Sequence, residues 1–239
     1  MDFGTDLKVI FDKYSDFLEK IDTIFARMEN DYPEEIRCRQ GCTDCCYAMF
    51  DLSLVEALYL NHKFSRLESD LKNQILIEAD KADRRIHKIK KELFREKQKG
   101  VPEQEILDQA SRQKVRCPLL VDDSCALYEH RPVTCRLYGL PLQMETGTAS
   151  CSESGFKPGE KYPTVHMHKI HDQLVSMSQE VAQAVNSSYD GLHTMLVPVS
   201  MCLLTDYTPE YLGVKNREHY KQKTQDKPTT EWVLGPSEE

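Results

Sequence analysis

Four thiols fall within nine residues, in the order Cys38-x3-Cys42-x2-Cys45-Cys46. Sulfur so closely spaced must either be kept reduced and used or be tied up, and in a reducing compartment that means metal ligation or redox chemistry. In a helix, all four side chains would lie within roughly 100° of one face, given ~100° per residue. Gly41 instead bends the chain just before Cys42, giving a loop that wraps a metal and then enters a helical turn. Neighbouring side chains diverge, so a single ion rarely takes both Cys45 and Cys46. Either two sites share this segment or one thiol is left for ligands elsewhere.

Those ligands lie downstream at Cys117, Cys125, Cys135 and Cys151. Four plus four thiolates fit two tetrathiolate sites, each with a formal charge of about −2, for zinc or for an oxidised 4Fe–4S cluster. Such charge needs donors or cations beside it. Arg131 and Arg136 are placed to supply them, and His130 is a further candidate around the site. Pro132 can begin a short helix whose free N–H groups face sulfur. Cys151 rests on composition alone, in a Gly/Ser-rich loop. The ninth cysteine, Cys202, lies among apolar residues and reads as a small core side chain.

The compartment is read from the rest of the chain. The formal net charge of −8 speaks against nucleic acid or an anionic membrane as partner. The first residues lack the basic and apolar regions of a signal peptide. The most apolar stretch, Met195 to Leu204, is too short to cross a bilayer and contains Pro198, so a core strand or buried loop is expected there. A cytoplasmic location follows as the expectation.

The fold class expected is mainly α, a bundle-like helical scaffold around an irregular cysteine-rich centre. Leu7, Ile10, Phe11, Tyr14, Phe17, Leu18, Ile21, Ile24, Phe25 and Met28 recur at helical spacing, predicting an amphipathic helix over 5–30 within an N-terminal segment 1–35. The metal centre occupies 36–50 and 115–155, and 51–114 is an insertion of helices. Ser53-Leu54-Val55-Glu56 has the form of a capping box opening a helix to about residue 63. Leu67 to Leu93 step by three or four, predicting a long helix over 66–97 whose seam pairs with the first helix or offers a face to a protein partner. Gly100 stops it, and Pro102 suits the first turn of a short helix. Asp122-Asp123 between apolar runs predicts a tight turn in a small hairpin. Pro163-Thr164 is expected to start a helix over 165–187 in a C-terminal segment 156–212, followed by a polar tail over 213–239.

His166, His168 and His171 open that last helix, where His168 and His171 share a face; three exposed polar histidines is the simpler account, a second metal site the sharper one. No P-loop, His-Glu-x-x-His or nucleophile elbow is present.

The cysteine pattern resembles the YkgJ-type cysteine-cluster family of zinc- or iron-chelating domains. The likeness is carried by Cys38-x3-Cys42-x2-Cys45-Cys46, by Cys117-Pro118-x-Leu120, and by Cys125-x2-Tyr128-x2-Arg131-Pro132-x2-Cys135-Arg136. It implies that these cysteines are the chelating set. A related cluster occurs in flagellin lysine N-methylases, which adds an enzyme reading of methyl-transfer or radical type; no glycine-rich loop for a nucleotide-like cofactor supports it here. The leading expectation is an iron–sulfur protein in redox transfer or cluster handling, with a structural zinc module for protein interaction as the alternative.

Overall fold

The apolar stripe of the first segment forms helix α1, Gly4–Asp31. Leu7, Ile10, Phe11, Tyr14, Leu18, Ile21 and Met28 are buried on its inner face, each contributing roughly 1.5–3 kcal/mol of burial. Ile24, expected to point inward, is 40% exposed; it lies off the edge of the stripe, and the face is already covered by other helices. The computed structural model describes residues 4–39, 41–144, 147–157 and 159–215. From residue 216 the expected polar tail lies outside the described residues.

A short strand β1, Asp51–Ser53, leads into α2, Leu54–Phe64. The capping box is formed: Ser53 N–H and Oγ donate to Glu56 Oε2 at 3.0 and 2.8 Å. Leu54 through Leu60 are all buried, as a helix apolar on most sides must be. The long helix is α3, Ser69–Gln98, ended by Gly100 at φ +89, and Pro102 caps α4, Glu103–Ser111. The seam of α3 does not pair with α1. It packs on α4 and on a later helix, because α2 and two further helices cover α1.

Strands β2, Leu120–Val121, and β3, Ser124–Cys125, make the expected hairpin. Helix α5, Val133–Leu137, follows Pro132. Strands β4 (Leu142–Met144), β5 (Gly147–Ala149) and β6 (Val165–His166) form a small sheet in the order β5-β4-β6. The next helix, α6, spans Met167–Ala184. Pro163-Thr164 therefore does not start it: Val165 and His166 pair with β4 in parallel first. Met195–Leu204 divides into strand β7, Leu196–Pro198, paired antiparallel with β1, and helix α7, Val199–Leu204.

The fold is mainly α, with seven α-helices among the described residues. Helix α2 lies at its centre against α6 and α7, and α1 packs on α5 and α6. No helix among the described residues is long and apolar enough to cross a membrane.

Candidate metal centre

The two cysteine segments meet through their backbones. Tyr47 O accepts Val115 N–H at 3.1 Å, Cys46 O accepts Cys117 N–H at 2.6 Å, and Ala48 bridges Lys114. A smaller apolar cluster of Ala82, Ile86 and Ile89 from α3 with Val115, backed by Met49, braces this junction. The long helix thus supports the place where the distant stretches join, offsetting part of the entropy of closing so long a loop.

Each thiol is then placed by local geometry. Gly41, at φ +90, turns the chain so that Cys42 N–H donates to Arg39 O at 2.9 Å, a conformation that favours glycine. The 3-10 turn Asp44–Tyr47 carries Cys45 and Cys46. Asp122 and Asp123, both in the left-handed region, reverse β2 into β3 and set Cys125 opposite Leu120. Cys135 rides on α5. The start of that helix is fixed from the core, where Glu56 Oε1 accepts Val133 N–H at 3.2 Å.

Cys151 belongs to a loop pressed against the exit of α1. Gly155 N–H donates to Glu35 O at 2.7 Å, and a Cβ at Gly155 would stand 2.9 Å from Glu35 Cα, so only glycine allows this approach. Tyr162 meets Tyr32 and Phe156 edge to face beside it, with Tyr32 and Phe156 tilted to each other. Cys151 Sγ donates to Asp44 Oδ2 at 3.3 Å, which brings it to the first cluster. Its neighbour across the site, Cys38, packs on Gly139, where an added Cβ would stand 2.3 Å from Cys38 Sγ.

Electrostatics show which sulfurs are neighbours. Cys135 and Cys46 both donate to Cys45, holding its thiol well below the usual range, and Arg131 adds to the effect. The donors are pushed up in turn: Cys46 and Cys135 rise through that hydrogen bond, then through burial, with Cys117 and Cys125 nearby. Burial pushes Cys117 up to about 12, with Cys125 and Cys45 beside it. It also pushes Cys38 up to about 12, with Cys42, Cys151 and Cys45 next. Cys125 and Cys151 are raised, again chiefly by burial. All eight thiols expected to bind metal are thus linked one to the next in a single group, with Cys45 beside members of both sequence clusters. Among the described residues no three His, Cys, Asp or Glu side chains converge on one ligating point.

Four of these residues, Cys38, Cys42, Cys45 and Cys135, line one cavity of about 160 Å3 with Arg131 and Arg136 in its wall. Arg131 faces the sulfurs, lowering Cys38, Cys45 and Cys125, while its guanidinium lies 3.7 Å from the Tyr128 ring centroid. Arg136 is buried and otherwise engaged: it bonds Asp22 and the carbonyls of Arg131 and Glu129 at 2.8 and 2.5 Å, closing the turn before α5. His130 meets Tyr59 Oη at 3.4 Å and lines a different pocket. His166 and His168 have ring centroids 5.6 Å apart, His166 on β6 and His168 with His171 on α6. Cys202 is fully buried, its Sγ on Ala57 O at 3.2 Å.

Asp44 was not anticipated. It accepts from Cys151 and Tyr138 and pairs with Lys114 at 3.4 Å. Its only sequence signal is its place beside Cys45. Gly139 gave none.

A set of soft sulfur donors beside a guanidinium fits thiophilic zinc or iron. Comparison of the chain with curated proteins and with solved structures returns no match. A family model does match, over the stretch that holds all eight clustered cysteines: residues 37–152 match the CxxCxxCC family model, "Putative zinc- or iron-chelating domain".

Proposed function

We propose that the chain binds iron–sulfur, with Cys38, Cys42, Cys45, Cys46, Cys117, Cys125, Cys135 and Cys151 as the thiolates from which the four ligands of each cluster are drawn, and works in redox transfer or cluster handling. The observation that carries this reading is the single connected sulfur group, part of which lines a cavity of about 160 Å3, more room than a lone ion needs. A cluster held there supplies one-electron exchange. The chain's own residues hold it, balance its charge through Arg131, and keep the cavity walled by α1, α5 and the 38–45 loop.

The test is anaerobic purification followed by assays for iron, acid-labile sulfide and zinc, with an absorption spectrum. Brown protein carrying iron and sulfide, lost on Cys45→Ser, is the expected result. Colourless protein with stoichiometric zinc overturns it in favour of a structural zinc module, and protein holding neither metal overturns both.

A further inference from the structure

On the outer side of the Tyr128 turn lies a second concavity of about 470 Å3, whose wall includes Leu67, Cys125, Tyr128 and His130 and whose rim carries Lys63 and Arg66. Its volume falls in the ~300–1,000 Å3 range of small-molecule pockets. In a chain of net charge −8, this concave spot gathers cations. Lys63 Nζ stands 5.0 Å from the Tyr59 ring centroid, and among the described residues neither Lys63 nor Arg66 forms an ion pair. The field is felt locally: His130 is lowered by burial, then by Lys63 and Arg136, with Arg66 adding to it. Lys63 also complements the C-terminal end of α2, but that accounts for neither Arg66 nor the apolar wall behind it. One acid, Glu129, stands at the edge.

We infer that this pocket binds a small organic phosphate, with Lys63 and Arg66 on the phosphate and Leu67, Leu127 and Tyr128 against an apolar or planar body. Unpaired cations beside a concave apolar wall recognise an anion carried on such a body. Cys125 in the wall sets the ligand at the edge of the sulfur group, whichever metal that group holds.

The inference is tested by isothermal titration of the full metal-loaded chain at low salt with adenosine monophosphate, inorganic phosphate and adenosine. The nucleotide should bind below about 1 mM, more tightly than either fragment alone. Lys63→Gln and Arg66→Gln should each weaken it by roughly tenfold or more, and Glu129→Gln should tighten it, with metal content unchanged in all three. Equal binding of adenosine and its monophosphate, or an unaffected Lys63→Gln/Arg66→Gln double variant, overturns the assignment. So does binding of an acidic peptide in place of the nucleotide, which would make the pocket a protein-docking site.

Discussion

Glu56 accepts the first N–H of α5, from Val133 at 3.2 Å, while its other oxygen takes the N–H and hydroxyl of Ser53. One buried carboxylate thus caps α2 and fixes the helix that carries Cys135. Removing it in Glu56→Ala leaves buried donors unpaired, at a cost of roughly 2–4 kcal/mol. Thermal melts should show that loss, and metal content should fall with it as α5 loosens. Burial raises the Glu56 carboxyl above its usual range in spite of its hydrogen bonds. A raised acid favours the folded state only while protonated, so its contribution is full below the ordinary carboxylate range. It declines as pH rises through the folded value. Wild type should lose that increment on going from acid to neutral pH, and Glu56→Gln should not.

Arg131 is the cation that faces the sulfurs, lowering Cys38, Cys45 and Cys125. Metal binding needs thiolates, so lowered thiols hold metal to lower pH. In Arg131→Gln the thiols rise, and metal should be released at a higher pH, with the midpoint moved up by roughly half to one unit. Arg131→Lys keeps the charge but not the guanidinium stack on Tyr128, and should fall between the two. An acid titration followed by a metal-release assay measures all three; identical midpoints would remove Arg131 from the centre.

Gly139 makes room for Cys38, since an added Cβ would stand 2.3 Å from its Sγ and 3.1 Å from its Cβ. Gly139→Ala therefore forces Cys38 into another rotamer or moves the loop. Overpacking of this kind costs about 1–3 kcal/mol, but the larger effect should be on metal affinity, because the displaced atom is a ligand candidate. Gly139→Ala combined with Cys38→Ser should bind no more weakly than Cys38→Ser alone, as equilibrium competition with a chelator would report.

What the sequence shows depends on how local the cause is. The stripe of α1, the Ser53–Glu56 box and the Asp122-Asp123 turn are set by residues within a few positions of one another, and each is found where it was expected. The bend at Gly41 is of the same kind. By contrast, α3 lies on α7 because α2, α5 and α6 already cover α1. The start of α6 is delayed because β4 claims Val165 and His166. Gly139 under Cys38 and Gly155 against Glu35 are approaches between segments more than a hundred residues apart, which no periodicity encodes. The gathering of the thiols was legible from residue type and spacing; Asp44 and Glu56, which orient them, act through contacts that only the folded chain creates.

The sharpest contrast lies between the half-buried Cys45 and the fully buried Cys202, opposite in surroundings. Cys45 has Cys46 and Cys135 beside it and lies near Cys38, Cys117 and Cys125 as well. Cys202 is wholly buried in the apolar core, where burial pushes its thiol up to about 12 and Sγ donates to Ala57 O at 3.2 Å. Cys45→Ser should strip most of the metal from purified protein, because both halves of the group lose a shared member. Cys202→Ala should leave metal content unchanged while lowering stability by roughly 1–2 kcal/mol through the small cavity it opens. Metal analysis and thermal melts on the same two variants separate the roles. Were Cys202→Ala to lose metal while Cys45→Ser kept it, the centre would have to be sought in the core between α2 and α7 and not among the clustered thiols.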